Sequence, residues 1–235
     1  MKRYLSPAAK DIRQDWGERY RDWTIGEWQD VVWSNECALS AGQVPGNVWV
    51  TGRPGEEFLE NCLVPKFCRL TMVMIWGAIY RDMKGLLVIW DMKGWGKING
   101  STYMDRIIQS YLHPWYMSLH KTSKTNSGYI YFQPGGRAAH RSKHVTQVFN
   151  ELGRSSYIFP WRPSSPDMSP IEGLWSLLKR RIQNRHSRPV TVPALHSAIQ
   201  EEWDSITSDE ILNLTSSVPE HVQELLLDHG GYTSR

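Results

Sequence analysis

Two apolar runs separated by a short polar turn place the strongest constraint on the fold of this chain. Residues 70–80 are rich in β-branched and aromatic side chains, and residues 86–90 repeat that composition. The intervening Asp82-Met83-Lys84-Gly85 is typical of a turn, so the two runs predict an antiparallel hairpin of core strands. Such strands need partners on both faces, which favours a sheet covered by helices.

The order of the remaining elements extends this hairpin into a mixed sheet. Strand-like composition recurs at residues 30–34, 129–133 and 157–159. An antiparallel meander followed by strand–helix units predicts an α/β fold with helices on both faces of a mixed sheet. The predicted helices are residues 7–23, a start at the capping box Thr24-Ile25-Gly26-Glu27, 99–112 with Pro114 after its end, 141–152, 170 to about 185, 193–206, 209–214 and 219–227.

The composition is that of a globular chain with a mildly basic balance. The 235 residues are 40% hydrophobic and 22% charged, with a formal net charge of +3, which argues against wholesale disorder. The 3 cysteines form no C-x-x-C pair and no zinc spacing, as expected for reduced thiols inside a cell. No apolar run has the length of a signal peptide or of a membrane span, which takes about 18 residues. We therefore expect a soluble intracellular protein with no membrane partner.

The chain divides by pattern into a central domain and two flanking parts. Residues 1–29 predict a helical lead-in, residues 30–190 the sheet-containing domain, and residues 191–235 a C-terminal helical extension. Within the central domain, residues from about 36 to 69 are punctuated by Pro-Gly pairs and are too many for a tight turn. This segment predicts a hairpin or flap inserted after the first strand.

Residues 165–181 carry the most specific pattern of the chain, Ser-Pro-Asp-Met-Ser-Pro-Ile-Glu-Gly-Leu-Trp-Ser-Leu-Leu-Lys-Arg-Arg. Ser169-Pro170-Ile171-Glu172 has the form of a capping box with proline at the first helical position, so a purely structural role is open to Glu172. Apolar residues follow at helical spacing and predict a core-facing stripe. Its members are Ile171, Leu174, Trp175, Leu178 and Ile182.

Three segments resemble the acidic motifs of the mariner superfamily of DNA transposases. Residues 165–181 resemble the last motif, with Glu172 at the acidic position. Val32-Trp33-Ser34-Asn35-Glu36 resembles the first, normally Ser-Asp-Glu, and residues 132–140 resemble the second, normally Gln-Asp followed by small residues and a histidine. The resemblance covers nearly the whole chain and implies a ribonuclease-H-like fold with a five-stranded mixed sheet. We expect no room before residue 30 for the N-terminal helix-turn-helix modules of relatives.

The resemblance also implies which residues stand at the ancestral metal site. Relatives cleave DNA with two divalent cations held by three carboxylates, whereas here Asn35 and Gly135 take the first two positions and Glu172 the third. Asn35 offers a neutral oxygen, and Gly135 offers no side chain. Glu36 should point to the opposite face of its strand, and Asp167 is acidic in relatives beside the functional glutamate, so neither replaces a lost ligand. We expect no cofactor, where ancestors held two Mg²⁺ or Mn²⁺ ions.

Two basic clusters flank that site. The first follows Glu172 on the same predicted helix, and the second surrounds the start of the helix after Gly135. A solvated helix end, favoured by the helix dipole, is one interpretation of the first cluster, and contact with the phosphate backbone of DNA is the other. The candidate DNA-binding residues are Arg137, His140, Arg141, Lys143, Lys179, Arg180, Arg181 and Arg185, of which His140 matches the motif histidine.

The sequence therefore predicts a transposase-derived domain, a relict or domesticated copy of fungal type, that has lost DNA cleavage. It retains at most weak, non-specific binding of double-stranded DNA or binding of protein, with a homodimer allowed and no small-molecule substrate. By the same resemblance we expect it in the nucleus. Two alternatives stay open: an active transposase, which the two missing ligands disfavour, and a protein-interaction scaffold with no DNA contact.

Overall fold

Four strands form one mixed sheet in the computed structural model, which describes residues 4–41, 71–126, 128–135, 158–161 and 165–233. The pair β1–β2 and the pair β2–β3 are antiparallel, and β1–β4 is parallel. The predicted hairpin and mixed sheet are confirmed. The strands are β1 (Val31–Ala41), β2 (Thr71–Tyr80), β3 (Met83–Ile89) and β4 (Tyr131–Gln133), in the spatial order β3-β2-β1-β4.

The place expected for a fifth strand lies beyond β4. There Ile158 forms an isolated parallel bridge with Phe132, and the Phe159 amide donates to the Phe132 carbonyl over 2.7 Å. The described part of the chain therefore has four strands and one bridge, where the sequence predicted five strands. The bridge still places residues 158–161 at the β4 edge, so this segment continues the strand order.

The first strand is longer than its composition predicted. β1 runs to Ala41 and pairs with β2 along its length, from Val32 opposite Tyr80 to Ala41 opposite Thr71. The sheet therefore takes in the first residues that the sequence assigned to a flap. The remainder of that predicted flap lies outside the described residues, as does the predicted helix at 141–152.

Helices cover both faces of the sheet, as the element order predicted. Trp33 and Leu174 belong to one buried cluster, whereas Val32 and Ile107 belong to another on the opposite face. Alternation of side chains along β1 separates the two clusters. The helices are α1 (Pro7–Tyr20), α2 (Ile25–Gln29), α3 (Gly100–Tyr103), a π-helical stretch (Met104–Leu112), α4 (His113–Thr122), a 3₁₀ turn (Pro166–Met168), α5 (Pro170–Asn184), α6 (Val192–Ser205), α7 (Ser208–Ser216) and α8 (Val218–Leu227).

The turn between β2 and β3 is tighter than predicted. Arg81 and Asp82 form it, and β3 already begins at Met83. Arg81 takes a left-handed conformation, with φ of 57°, which is unfavourable for a non-glycine residue. Tertiary contacts hold it there: its guanidinium lies 2.7 Å from the buried Asp30 carboxylate, and its carbonyl accepts from the Thr215 hydroxyl over 3.0 Å. These contacts join residues far apart in the chain, so no local pattern predicted them.

Pro114 does not end the helix that Asn99 begins, and that prediction is wrong. The Asn99 side chain accepts from the Ser101 and Thr102 amides, each over 3.0 Å, as predicted for a cap. The helix then changes to π geometry and continues as α4, in which Pro114 occupies the first turn. Pro114 has no amide hydrogen to donate, and it stands next to the point where the helix changes from π to α geometry, so the missing bond falls where the ladder is already irregular.

The helices at both ends of the chain belong to the core on the α5 face. Trp16 and Tyr20 of α1 lie in the same buried cluster as Trp203 of α6 and Leu225 of α8. These helices match the spans predicted at residues 7–23, 193–206 and 219–227 to within a few residues. Within the described ranges, no helix combines the length and the apolar character needed to cross a membrane.

Candidate active site

Asn35 lies in the middle of β1, on the face that α5 covers. It stands between Trp33 and Cys37, both members of the cluster on that face. Glu36 points to the other face, as predicted. Tyr103 lies in the opposite cluster, and its pKa is raised first by burial and then by the nearby charge of Glu36. The Glu36 carboxylate is therefore on the wrong side of the sheet to replace a ligand at Asn35.

A close approach between β2 and α5 sets the depth of the site. Gly77 is paired with Asn35 across β1 and β2, so the two residues face the same layer. A Cβ atom at Gly77 would lie only 2.6 Å from Cη2 of Trp175 on α5. Glycine therefore lets the Trp175 ring rest on the sheet. The first turn of α5 is thereby brought within hydrogen-bonding reach of β1.

Asn35 and Glu172 meet directly at this contact. The Asn35 amide nitrogen donates to Oε1 of Glu172 over 2.5 Å, and the Asn35 oxygen accepts from the Glu36 backbone amide over 2.9 Å. The reverse amide orientation would set oxygen against a carboxylate and nitrogen against an N–H donor, so the hydrogen bonds define which way the side chain points. The Asn35 oxygen is thus turned toward its own backbone.

Glu172 does not close a capping box, and that interpretation of the motif is wrong. Ser169 is the N-cap residue, but no side-chain hydrogen bond caps the helix. The Glu172 amide contacts the Ser169 carbonyl, over 3.1 Å, through the backbone alone. The carboxylate is instead engaged by Asn35, which lies 137 positions earlier in the chain. A local pattern could not reveal a competing partner at that separation.

Gly135 follows the end of β4, on the strand adjacent and parallel to β1. Gln133, the last residue of β4, is in register with Trp33, so two residues further along each strand lead to Gly135 and Asn35. The Ser34 hydroxyl donates to the Gln133 carbonyl over 2.9 Å and fixes the two strands together at this point. The predicted parallel placement of the first two motif positions is confirmed, and Gly135 is buried without contributing a side chain.

Lys179 is a cation that faces this site. Burial is the main cause that raises the pKa of Glu172, and the charge of Lys179 offsets part of that rise, followed by the Asn35 hydrogen bond. Burial likewise raises the pKa of the Cys37 thiol, again opposed first by Lys179. Lys179 stands two helical turns after Glu172, so both project from one side of α5. The charge of Lys179 therefore offsets part of the negative charge at the site.

Asp167 cannot act as a ligand at the site because other residues hydrogen-bond its carboxylate. Its carboxylate receives two hydrogen bonds from the buried Arg13 guanidinium, over 3.0 and 2.7 Å, and one from the Thr233 amide over 3.0 Å. Arg13 also donates to Ser165 and to the carbonyls of Gly230 and Gly231. This network ties α1 and the C-terminal segment to the turn before α5. Sequence reasoning missed it, since the only local signal is a charged residue, Arg13, that interrupts an apolar helix face.

The predicted DNA-binding residues are divided by the structure. Lys179 and Arg180 are exposed on α5. Arg181 is ion-paired with Glu210 at 2.6 Å, and Arg185 with both Glu201 and Glu202. At the C-terminal end of α5, both arginines of the predicted basic face therefore have carboxylate partners, and their contact with DNA stays a prediction. Arg137, His140, Arg141 and Lys143 lie outside the described residues.

Two features define a ribonuclease-H-like α/β domain. One is the strand order, and the other is that α5, which carries Glu172, covers the sheet face on which Asn35 lies. The catalytic domain of Mos1 transposase, solved with raltegravir and Mg, matches with a TM-score of 0.67 and 14% identity over 99% of this chain and 100% of that chain. A mariner Mos1 paired end complex with Mg matches with a TM-score of 0.69 and 14% identity over 100% of this chain and 66% of that chain. These similarities establish the fold.

Sequence similarity to known transposases identifies the class of protein more narrowly than the fold does. The Tc1 transposase of Caenorhabditis elegans is 25% identical over 240 residues, spanning 100% of this chain and 80% of that protein. The Tcb1 transposase of Caenorhabditis briggsae is 24% identical over 233 residues, spanning 98% and 79%. No family model matches the sequence. The chain is homologous to the Tc1/mariner transposases.

Proposed function

We propose that this chain is a transposase-derived domain that no longer cleaves DNA and retains only weak, non-specific binding of double-stranded DNA. One observation supports the loss of cleavage above all: the Asn35 amide donates to Glu172 where relatives with an aspartate would set two carboxylates face to face. Two carboxylates at that separation repel unless a cation lies between them. The amide removes the repulsion, so the site is stable without a metal ion.

The side chains at the three motif positions do not fit a two-metal centre. Such a centre needs hard oxygen ligands whose negative charge holds two divalent cations. Glu172 supplies one carboxylate, the Asn35 oxygen is occupied by a backbone amide, and Gly135 supplies nothing. Within the described residues, no group of three or more His, Cys, Asp or Glu side chains could hold a metal ion.

Binding of DNA is supported by the relatives and by part of α5. A Mos1 paired-end complex was solved with the left transposon end. On this chain, Lys179 and Arg180 are exposed beside the site, and such side chains hold phosphates without reading sequence. A nuclear location follows from a duplex DNA partner, and a homodimer is compatible with the proposal. A protein-interaction scaffold would be favoured instead if the chain failed to bind duplex DNA at low salt.

Calorimetric titration with Mg²⁺ and Mn²⁺ tests the loss of the metal site. We expect no saturable heat from the native chain and none from the Glu172→Ala control. The double reversion Asn35→Asp with Gly135→Asp measures whether two ligands are all that is missing. Saturable binding by the native chain that disappears in Glu172→Ala would overturn the proposal.

A further inference from the structure

The C-terminal end of α5 lies against an acidic edge formed by α6 and α7. Arg181 contacts the Glu210 carboxylate at 2.6 Å and donates to the Ser205 hydroxyl over 3.0 Å. One turn later, Arg185 contacts Glu202 at 2.6 Å and Glu201 at 2.5 Å. We call Glu201, Glu202 and Glu210 the acidic cover. Both arginines, which could otherwise meet a phosphate, thus already hold at least one carboxylate each.

The acidic cover is positioned by the helices that carry it. Glu210 completes a capping box in which one of its oxygens accepts from the Thr207 amide over 3.0 Å, which leaves the other oxygen for Arg181. Hydrogen bonding to the Thr207 backbone, followed by the charge of Arg181, lowers the pKa of Glu210. The Glu202 side chain is only 17% exposed. The carboxylates of Glu202 and Glu210 are therefore preorganised, unlike the mobile partners of an ordinary surface ion pair.

Charge at this end of α5 differs from what the sequence of the helix predicts. The two arginines contribute +2 and the three glutamates of the acidic cover −3, a local balance of −1. Lys179 and Arg180, which directly precede Arg181, form no ion pair with any described residue. A duplex approaching α5 would meet exposed cations at Lys179 and Arg180 and compensated ones beyond them.

We infer that the acidic cover is an intramolecular substitute for DNA phosphates, which confines contact between α5 and duplex DNA to Lys179 and Arg180. The inference rests on the proposed DNA binding and adds a mechanism that limits it. A phosphate can reach Arg181 or Arg185 only by displacing a carboxylate, and that exchange creates no new charge pair and releases fewer counterions. Neutralising the cover exposes a latent phosphate-binding surface.

Binding of a short labelled duplex, followed by fluorescence anisotropy over a range of salt concentrations, tests the acidic cover. Each phosphate newly contacted steepens the log–log salt dependence by about 0.9. The triple variant Glu201→Gln, Glu202→Gln and Glu210→Gln should therefore have a slope steeper by about 1.8 than the native chain. Glutamine keeps the capping box at position 210, and a thermal melt verifies folding. The matched control, Asp11→Asn with Asp15→Asn and Asp22→Asn, makes the same charge change on exposed residues and should leave the slope unchanged.

Removal of the arginines supplies a test that does not depend on the triple variant. Arg181→Ala with Arg185→Ala should leave the native slope unchanged, but should abolish the gain when added to the triple variant. If removing the arginines reduced the native salt slope by about 1.8, the inference about the acidic cover would be overturned. A control variant (Asp11→Asn, Asp15→Asn and Asp22→Asn) whose slope steepened as much as that of the triple variant would overturn it too.

The outcomes separate this inference from the proposed function. If the native chain fails to bind at low salt while the triple variant binds, DNA binding by the native chain is refuted and the acidic cover is supported. If neither binds, both fail. If the native chain binds and Lys179→Ala with Arg180→Ala flattens its slope, while the triple variant matches the native chain, the acidic cover alone is refuted.

Discussion

Replacing Asn35 by aspartate introduces the residue type that the motif resemblance implies for this position, yet we predict that it destabilises the folded chain at neutral pH. The change removes a donor that lies 2.5 Å from Oε1 of Glu172 and sets a second carboxylate in its place. The substituted aspartate would retain the bond from the Glu36 amide, because one of its oxygens can accept it as the Asn35 oxygen does. Its other oxygen therefore faces Glu172.

The expected magnitude follows from two effects that partly overlap. A hydrogen bond to a charged acceptor contributes about 1.5–3 kcal/mol. Two unit charges about 4 Å apart at a partly exposed site, with an effective dielectric constant of about 20, repel by up to about 4 kcal/mol. Side-chain rotation and uptake of a proton by one carboxyl relieve part of this, so we expect a loss of about 2–4 kcal/mol. Asn35→Ala, which loses the donor without adding charge, should cost about 1.5–3 kcal/mol.

The pH dependence distinguishes repulsion from general damage. Burial already raises the folded-state pKa of Glu172, and the second carboxylate should raise it further. A raised pKa means that the folded state binds the proton more tightly, so the free energy of unfolding is greatest below the unfolded-state pKa and falls as pH rises through the folded-state pKa. In Asn35→Asp that fall should be larger than in the native chain. Asn35→Ala removes the hydrogen bond that lowers the pKa of Glu172 but adds no charge, so its increase should be smaller than that of Asn35→Asp.

Urea unfolding at a series of pH values measures these free energies. Adding Glu172→Gln to Asn35→Asp should recover most of the stability, because the neutral amide can donate to the new carboxylate. The coupling between the two positions is then obtained from the double-mutant cycle. An Asn35→Asp variant as stable as the native chain at neutral pH, with no added pH dependence, would show that the two carboxylates do not repel each other as expected.

Two further substitutions test how the site is held. Gly77→Ala should destabilise the folded chain by about 1–3 kcal/mol, because its Cβ would lie 2.6 Å from the Trp175 ring. Urea unfolding should show that part of the lost stability is recovered when Trp175→Phe is added. An equal loss in both backgrounds would contradict a steric cause. Arg13→Ala should cost about 3–5 kcal/mol, because it leaves the Asp167 carboxylate buried without its cation. The matched control, Arg21→Ala, removes an exposed i,i+3 pair with Glu18 and should change the unfolding midpoint little; similar losses in both variants would refute a special role for Arg13.

The sequence predicted elements whose signals are local. The capping box at Thr24, the cap at Asn99 and the start of α5 at Pro170 all stand where short patterns indicated them. The alternation of side chains along β1 correctly predicted that Asn35 and Glu36 lie on opposite faces of the sheet. In each case the deciding interaction lies within a few residues, or follows from the period of a strand.

The contacts that define the site are not local, and for that reason they escaped prediction. Ser169 to Glu172 matches the capping-box pattern, but a distant amide engages the carboxylate. In the sequence, Arg181 and Arg185 have the pattern of a free basic face. In the structure, α6 and α7 pack against the end of α5 and supply acidic partners that lie 16 to 29 residues away in the chain. Neither outcome can be obtained from helix periodicity, since both depend on how helices pack in space.

The proposed loss of DNA cleavage is tested most directly with supercoiled plasmid and Mn²⁺. Under the proposal, Asn35 and Gly135 stand where a two-metal centre would need carboxylates, so we expect neither cation to be held between the attacking and leaving oxygens. We predict that the purified native chain converts plasmid to nicked circles no faster than buffer alone, and no faster than the Glu172→Ala variant. Nicking above the buffer rate that disappears in Glu172→Ala would show that the chain still cleaves DNA.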